Sequence, residues 1–266
     1  MKERVLSAII LVCIIVPLTY LGGEFFSYLC AIIASLSVYE LINIRESKRK
    51  LPFIIKLAAY VMVILFTLRN SHSIDYIYNI DYKMMAIMIF TFLLSIVFFH
   101  NNDEYCIGDA LYILGSILFI GISYNLLIIT RNNNIFYILY LFLISVITDI
   151  FAFTGGKLIG KHKLSPELSP NKTIEGLITG LIMGTIIPSY IYMTMINSEA
   201  NIYLICTITL VLSLLGSIGD LVFSSIKRYY GKKDFSNLIP GHGGVLDRFD
   251  SMIFVVLGYV LFIGIL

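Results

Sequence analysis

The sequence has no tryptophan, only six prolines, four histidines and four cysteines in 266 residues, and just 14% of its side chains are charged. Soluble domains carry about a quarter charged residues, so so thin a supply excludes water as the main solvent of the chain. Cys13, Cys30 and Cys206 fall inside apolar runs, Cys106 lies in a short loop, and no C-x-x-C pair exists. Nothing there points to zinc or redox work, and the four are read as small packing residues. An alternating ten-residue pattern is also missing, which excludes a transmembrane barrel. No polar block is long enough to fold separately, so residues 1–266 are expected to form one polytopic membrane domain. Within it, 1–130 reads as scaffold and 131–266 as the part that carries the active site. No A-x-A-like cleavage site follows the apolar run Val5–Leu21, so that run is expected to stay as a first span.

What the chain has in abundance is apolar surface: 58% of its residues are hydrophobic, with 18 tyrosines and 18 phenylalanines as interface anchors and packing groups. A hydrocarbon core about 30 Å thick needs roughly 20 apolar residues of helix. Nine segments approach that length, near 4–21, 23–44, 51–68, 84–100, 108–130, 135–155, 174–197, 201–222 and 251–266. The fold class expected is therefore an all-α integral membrane protein with about nine transmembrane helices. A cytoplasmic N-terminus then puts 15 of the 19 basic residues on the cytoplasmic side and only Arg69, Lys83 and Arg131 on the other. Lys56 falls just within a span. That bias follows the positive-inside rule and places the polar loops at the cytoplasmic face. In the first five spans Glu40 and Asp109 are near the cytoplasmic ends, where both are expected to reach interfacial water.

The remaining polar residues gather in two C-terminal stretches. The first holds Asp149, Gly155, Gly156, Lys157, Gly160, Lys161, Ser169, Pro170, Asn171, Lys172, Thr173, Glu175 and Gly176. Its glycines allow a backbone to approach a ligand, its lysines supply positive charge, and residues 169–173 are expected to open a helix N-terminus that favours an anion. A basic loop that merely fixes orientation and touches anionic lipid is the plainer alternative. Asp149 lies about two turns inside the sixth span, where an unpaired carboxylate is expensive, which makes it a candidate site residue. Pairing with a lysine of the next loop would be its structural explanation.

The second stretch starts at Asp220. In a helix, Asp220, Ser224 and Lys227 stand at i, i+4 and i+7, so a carboxylate, a hydroxyl and an ammonium share one face. Arg228 follows, then Lys232, Lys233 and Asp234, then the glycine-rich turn around His242, and finally Asp247, Arg248 and Asp250 at the start of the ninth span. Asp220, Asp247 and Asp250 make an oxygen-rich trio suited to a hard cation such as magnesium. His242 alone is a poor zinc ligand and a candidate phosphate donor. Helix capping would explain Asp247 but not the whole set.

These residues also carry a resemblance. Ser224, Lys227, Arg228, Lys233, Asp234, Ser236, Ile239, Pro240, His242, Gly243, Gly244, Asp247, Arg248 and Asp250, at this spacing, are similar to the signature of the phosphatidate cytidylyltransferases, or CDP-diacylglycerol synthases. Asp149, Gly160, Lys161, Ser169, Lys172, Thr173, Glu175 and Gly176 resemble that family's other polar segment. The resemblance covers Asp149 to Asp250 by motif, and only hydropathy and positive charge before that. It implies transfer of a cytidylyl group from CTP to phosphatidate, giving CDP-diacylglycerol and pyrophosphate, with magnesium required and a dimer of membrane helices. The ion count is left open, and no nucleic-acid partner is expected.

On this reading Asp220, Asp247 and Asp250 hold magnesium. Lys227 and Arg228 hold the lipid phosphate or the transferred group, and Lys172, Asn171 and His242 meet the CTP phosphates. Asp149, Lys157, Lys161, Thr173, Glu175 and Ser224 complete the substrate contacts, and Arg248 contacts substrate or orients an aspartate. The expected location is a membrane, the bacterial inner membrane first, with the site facing the cytoplasm. Three rival readings stand beside it: a CTP-dependent polyprenol or other lipid kinase, a non-catalytic scaffold binding anionic lipid, which leaves the aspartates and glycines idle, and a transporter with Asp149 and Asp220 on its ion path. The absence of an internal repeat speaks against the transporter.

Overall fold

The computed structural model describes residues 2–69, 82–99, 105–241 and 243–265. Among the described residues the chain forms nine α-helices and one two-stranded hairpin. By contact clustering it divides into two compact units, Met1–Asn133 with Asp234–Asp247, and Asn134–Lys233 with Arg248–Leu266.

The first unit contains α1 (Lys2–Leu21), α2 (Gly23–Glu46), α3 (Phe53–Leu68), α4 (Tyr82–Phe98) and α5 (Ile107–Asn133). The tight joint between α1 and α2 needs left-handed backbone at Gly22 and Gly23, with φ of 68° and 55°, which glycine adopts without strain. Arg131 of α5 closes the end of α1 by donating to the Thr19 and Tyr20 carbonyls, two of the orphan acceptors every helix leaves at its C-terminus. Helices α2, α3 and α5 pack on one another around Ala34, Val38, Ala59, Val63, Ile113 and Ile117, all fully buried. The Tyr112 hydroxyl adds a 2.9 Å bond to the Leu41 carbonyl. Asp109 does not reach water as expected: it is fully buried and paired with Arg45, with Arg49 at 3.5 Å. A carboxylate enclosed by protein has to find such cations.

The second unit contains α6 (Ile135–Ile159), β1 (Lys163–Ser165), β2 (Ser169–Thr173), α7 (Ile174–Met195), α8 (Ile202–Tyr229) and most of α9 (Leu246–Val260). Asn134, Thr173 and Asn201 cap α6, α7 and α8, each accepting from a backbone N–H two or three residues on. Segment 163–173, expected as loop and helix entry, is instead an antiparallel hairpin whose second strand runs straight into the α7 cap. α9 begins five residues earlier than the predicted ninth span, at Leu246 in place of residue 251.

Among the described residues, helices α6 and α7 are the most closely packed pair. Gly176, Gly180 and Gly184 form a stripe on α7, where an added Cβ would strike the Ala152 carbonyl, the Thr148 carbonyl and the Thr148 hydroxyl of α6. Across from them, Gly155 abuts Thr179, and Gly156 and Gly160 abut Thr173. Gly155 and Gly156 of α6 therefore serve helix contact, and Gly160 just past α6 meets Thr173 of β2, which corrects their reading as room for a ligand. Lipid tails give apolar helices no hydrophobic reason to associate, so close backbone approach and interhelical hydrogen bonds must do it. Such bonds are present: Thr148 to Ser213 at 2.7 Å, Tyr140 to Thr209 at 2.7 Å and Ser189 to Thr209 at 3.0 Å. On α8, Gly219 makes room for Phe254 of α9, whose ring meets Phe223 edge-on at 6.2 Å.

Five helices, α2, α5, α6, α7 and α8, are long and apolar enough to cross a membrane, while Ile9–Leu21, α3 and α4 are shorter apolar helices. Their outward faces carry large apolar side chains such as Phe153, Ile178, Ile182 and Ile186, as lipid contact requires. Replacing Gly180 by leucine is expected to destabilise the second unit by about 1–3 kcal/mol or more through overpacking against α6. Ile182→Leu, on the exposed face of the same helix, is expected to leave the melting midpoint of detergent-solubilised protein within a degree or two of wild type, on the order of the few tenths of a kcal/mol usual at uninvolved positions.

Candidate active site

Helix period alone places Asp220, Ser224 and Lys227 on one side of α8, and the fold turns that side inward. Ser224 and Lys227 are buried, at 9% and 8% exposure, and the Ser224 hydroxyl donates to Asp220 Oδ1 at 3.3 Å. The other carboxylate oxygen, Oδ2, is 2.5 Å from Lys172 Nζ, which reaches it from strand β2. Making β2 a strand rather than a loose loop fixes the direction in which Lys172 projects. A charge-assisted bond of that length is among the stronger contacts a side chain makes.

Two more carboxylates approach the same place from other helices. Asp149 of α6 lies in Coulombic range of Asp220 and Lys172, and Asp250 of α9 in range of Asp220, Asp149 and Lys227. Three helices thus contribute one aspartate each, and β2 and α8 contribute a lysine each. With all five ionised, three negative charges face two positive ones. Like charges in range of one another repel unless something positive joins them. Ser251, next to Asp250 in α9, adds a buried hydroxyl.

Among the described residues the donor chemistry fits a hard cation: carboxylate oxygens and a hydroxyl, with no thiol or imidazole beside them. Among the described residues no three such groups form a ready-made ion cage. Magnesium does not ask for one, since it keeps waters and takes one or two carboxylates together with substrate phosphates. Asp220 and Asp250 are the residues of this unit that suit it.

The other sequence candidates are placed differently. Asp247 belongs to the first unit, where its Oδ2 accepts from the Phe235 and Gly244 amides at 3.0 and 2.9 Å. Those bonds tie the loop that precedes α9 to its first turn. Arg228 is exposed and its guanidinium bonds the Leu168 and Lys232 carbonyls, tying the hairpin turn to the segment after α8. Thr173 is the α7 cap. Glu175 receives the Lys161 and His162 amides and the His162 ring at 2.6 Å, so it holds the bend between α6 and β1. Lys157, Lys161, Asn171 and Arg248 are exposed. His242 lies outside the described residues.

Glu40, like Asp109, is placed differently from the sequence expectation. It is fully buried, not at interfacial water, and bonds Ser236 Oγ and the Val245 and Leu246 amides within the first unit. The available signal was its position in an apolar helix, where an acidic residue always needs a named partner. The α7 stripe was likewise readable as a repeated small-x-x-x-small pattern in an apolar segment.

Comparison with known proteins bears on the family of the chain. Residues 2–266 match the model of the Cytidylyltransferase family. A protein of Staphylococcus haemolyticus named phosphatidate cytidylyltransferase is 40% identical over 260 residues, covering 96% of each chain. Proteins of the same name from Staphylococcus aureus strain COL and Staphylococcus epidermidis strain ATCC 12228 are 38% and 37% identical over 257 residues, again covering 96% of each chain. With the family match running almost from end to end, the chain belongs to the cytidylyltransferase family and is a nucleotidyl-transferring enzyme.

Proposed function

We propose that this enzyme transfers the cytidylyl group of CTP to phosphatidate, forming CDP-diacylglycerol and releasing pyrophosphate in phospholipid synthesis. The observation that carries the proposal is the meeting of Asp149, Asp220 and Asp250 with Lys172 and Lys227, in a chain whose relatives bear that activity in their name. The phosphatidate phosphate is already a nucleophile and needs no base. Its oxygen attacks the α-phosphorus of CTP, the bond from that phosphorus to the bridging oxygen breaks, and pyrophosphate leaves.

What the protein must supply is approach of two polyanions and neutral surroundings for the charge they concentrate. Magnesium bound at Asp220 and Asp250 would supply that positive charge to phosphate oxygens. Lys172 and Lys227 add two ammonium groups, and Ser224 and Lys172 hold the two oxygens of Asp220 in fixed directions. Asp149 completes the acidic wall. Arg228, Lys157, Lys161, Asn171 and Arg248 are exposed polar groups of the kind that meets substrate phosphate. The chain is read as an integral membrane protein of nine spans in a bacterial inner membrane, with a cytoplasmic N-terminus and its site at the cytoplasmic face, where CTP and a lipid headgroup can both arrive. It is read as a homodimer.

Purified protein incubated with phosphatidate, magnesium and α-labelled CTP is expected to place label in the lipid phase. With γ-labelled CTP the label is expected in pyrophosphate; label in the lipid would mean a kinase and sink this reading. Asp250→Asn, inserted and folded, is expected to lose magnesium-dependent transfer by roughly a hundredfold or more, as groups facing transition-state charge do. Lys172→Met is expected to lower kcat/KM for CTP about 10- to 100-fold, the cost of one charge-assisted bond of about 1.5–3 kcal/mol. Normal turnover in either variant would remove its residue from the site.

A further inference from the structure

Glu40 sits in α2, far in sequence from the motifs that carry the chemistry, and its side chain does something that chain distance hides. It is completely buried, and both carboxylate oxygens act as acceptors. Oε1 receives the Ser236 hydroxyl at 2.5 Å and the Val245 amide at 2.8 Å; Oε2 receives the Leu246 amide at 2.8 Å. All four residues belong to the first unit.

Val245 and Leu246 are the entrance of α9, and a helix leaves its first amides without intrahelical acceptors. Most helices solve this with a side chain from the residue just before them. Here Glu40 does it from another helix, and Asp247 adds its own bonds to the Phe235 and Gly244 amides. The negative charge also sits at the positive end of the α9 dipole, where it is stabilised.

The glycine before the helix fits this arrangement. Gly244 is buried, and a methyl group on it would lie 2.6 Å from Glu40 Oε1 and 2.9 Å from Oε2. The bare α-carbon is therefore the space in which the carboxylate rests. A side chain there would push Glu40 off its amides even though the backbone itself could accept one, since no left-handed φ is recorded at this position.

We propose that Glu40 is a positioning residue for the transfer reaction: its carboxylate clamps the Ser236–Leu246 segment and fixes where α9 starts, and so where Asp250 stands. Asp250 follows Leu246 by four residues in the same helix, so a shift or fraying of the first turn carries directly to it. A displacement of about 1 Å at a reacting centre can cost on the order of a hundredfold in rate. Glu40 touches no substrate and acts only through α9. The proposal rests on the assignment of Asp250 to the metal-phosphate site.

Two measurements test it, one of which needs no activity. In Glu40→Ala and Gly244→Ala, peptides covering residues 243–247 are expected to exchange backbone hydrogen at least tenfold faster than wild type, with other helices unchanged. In the transfer assay, both variants are expected to show kcat lowered tenfold or more and a magnesium half-saturation raised several-fold, while the KM for phosphatidate stays within twofold. Ser236→Ala, which removes one of three bonds and keeps the carboxylate, is expected to show the same pattern in weaker form and serves if the stronger variants fail to fold. Wild-type exchange in a folded variant overturns the clamp. Faster exchange with unchanged kcat and magnesium response overturns the positioning role. A wild-type enzyme that exchanges as described but transfers no cytidylyl group would sink the proposed function and leave the clamp standing.

Discussion

A carboxylate taken out of bulk water has to be matched by donors or cations, and the polar architecture of this chain follows from that requirement. Each buried or clustered acid among those described solves it differently. Asp109 uses two arginines, Glu40 uses a hydroxyl and two helix-entrance amides, and Asp220 uses Lys172 and Ser224. The first two solutions are complete within the protein and tie elements together. The third is incomplete, because Asp149 and Asp250 bring more negative charge to Asp220 than the two lysines offset. An excess of this kind is what a cation-dependent phosphate site needs before its ligands arrive.

The apolar part of the chain answers a different constraint. Helices surrounded by lipid gain little from hiding leucines from one another, so contact has to come from small residues and shared hydrogen bonds. The glycine stripe at 176, 180 and 184 lets α7 lie against α6, and the hydroxyls of Thr148, Ser213, Thr209 and Tyr140 join α6 to α8. This close packing also serves the site. Asp149 follows Thr148 directly on α6, Lys172 lies one residue before the α7 cap, and Asp220 follows Gly219 on α8. The side chains that carry charge are thus neighbours of the ones that lock the helices, which limits how far the charged groups can drift.

Much of this was legible in the sequence. Runs of apolar residues located most helices to within a few positions, because lipid demands length and hydrophobicity of any span, while the polar end of α8 and the polar start of α9 lay five to seven residues beyond the expected bounds. The spacing of Asp220, Ser224 and Lys227 gave a shared helical face, since 3.6 residues per turn is a property of the backbone and not of the surroundings. The polar signature between Ser224 and Asp250 pointed to the cytidylyltransferase family that the comparisons show.

Other features were decided only by the folded chain. Glu40 and Val245 are 205 positions apart, and nothing local to either announces the other. Lys172 looked like a free phosphate ligand until strand β2 brought it to Asp220. The α6 glycines looked like a cradle because composition cannot tell a surface meant for a ligand from one meant for a helix. Sequence period fixes what a residue presents along its own element; which partner it meets depends on the path of the rest of the chain, and in a low-dielectric interior that partner decides what a charge can do.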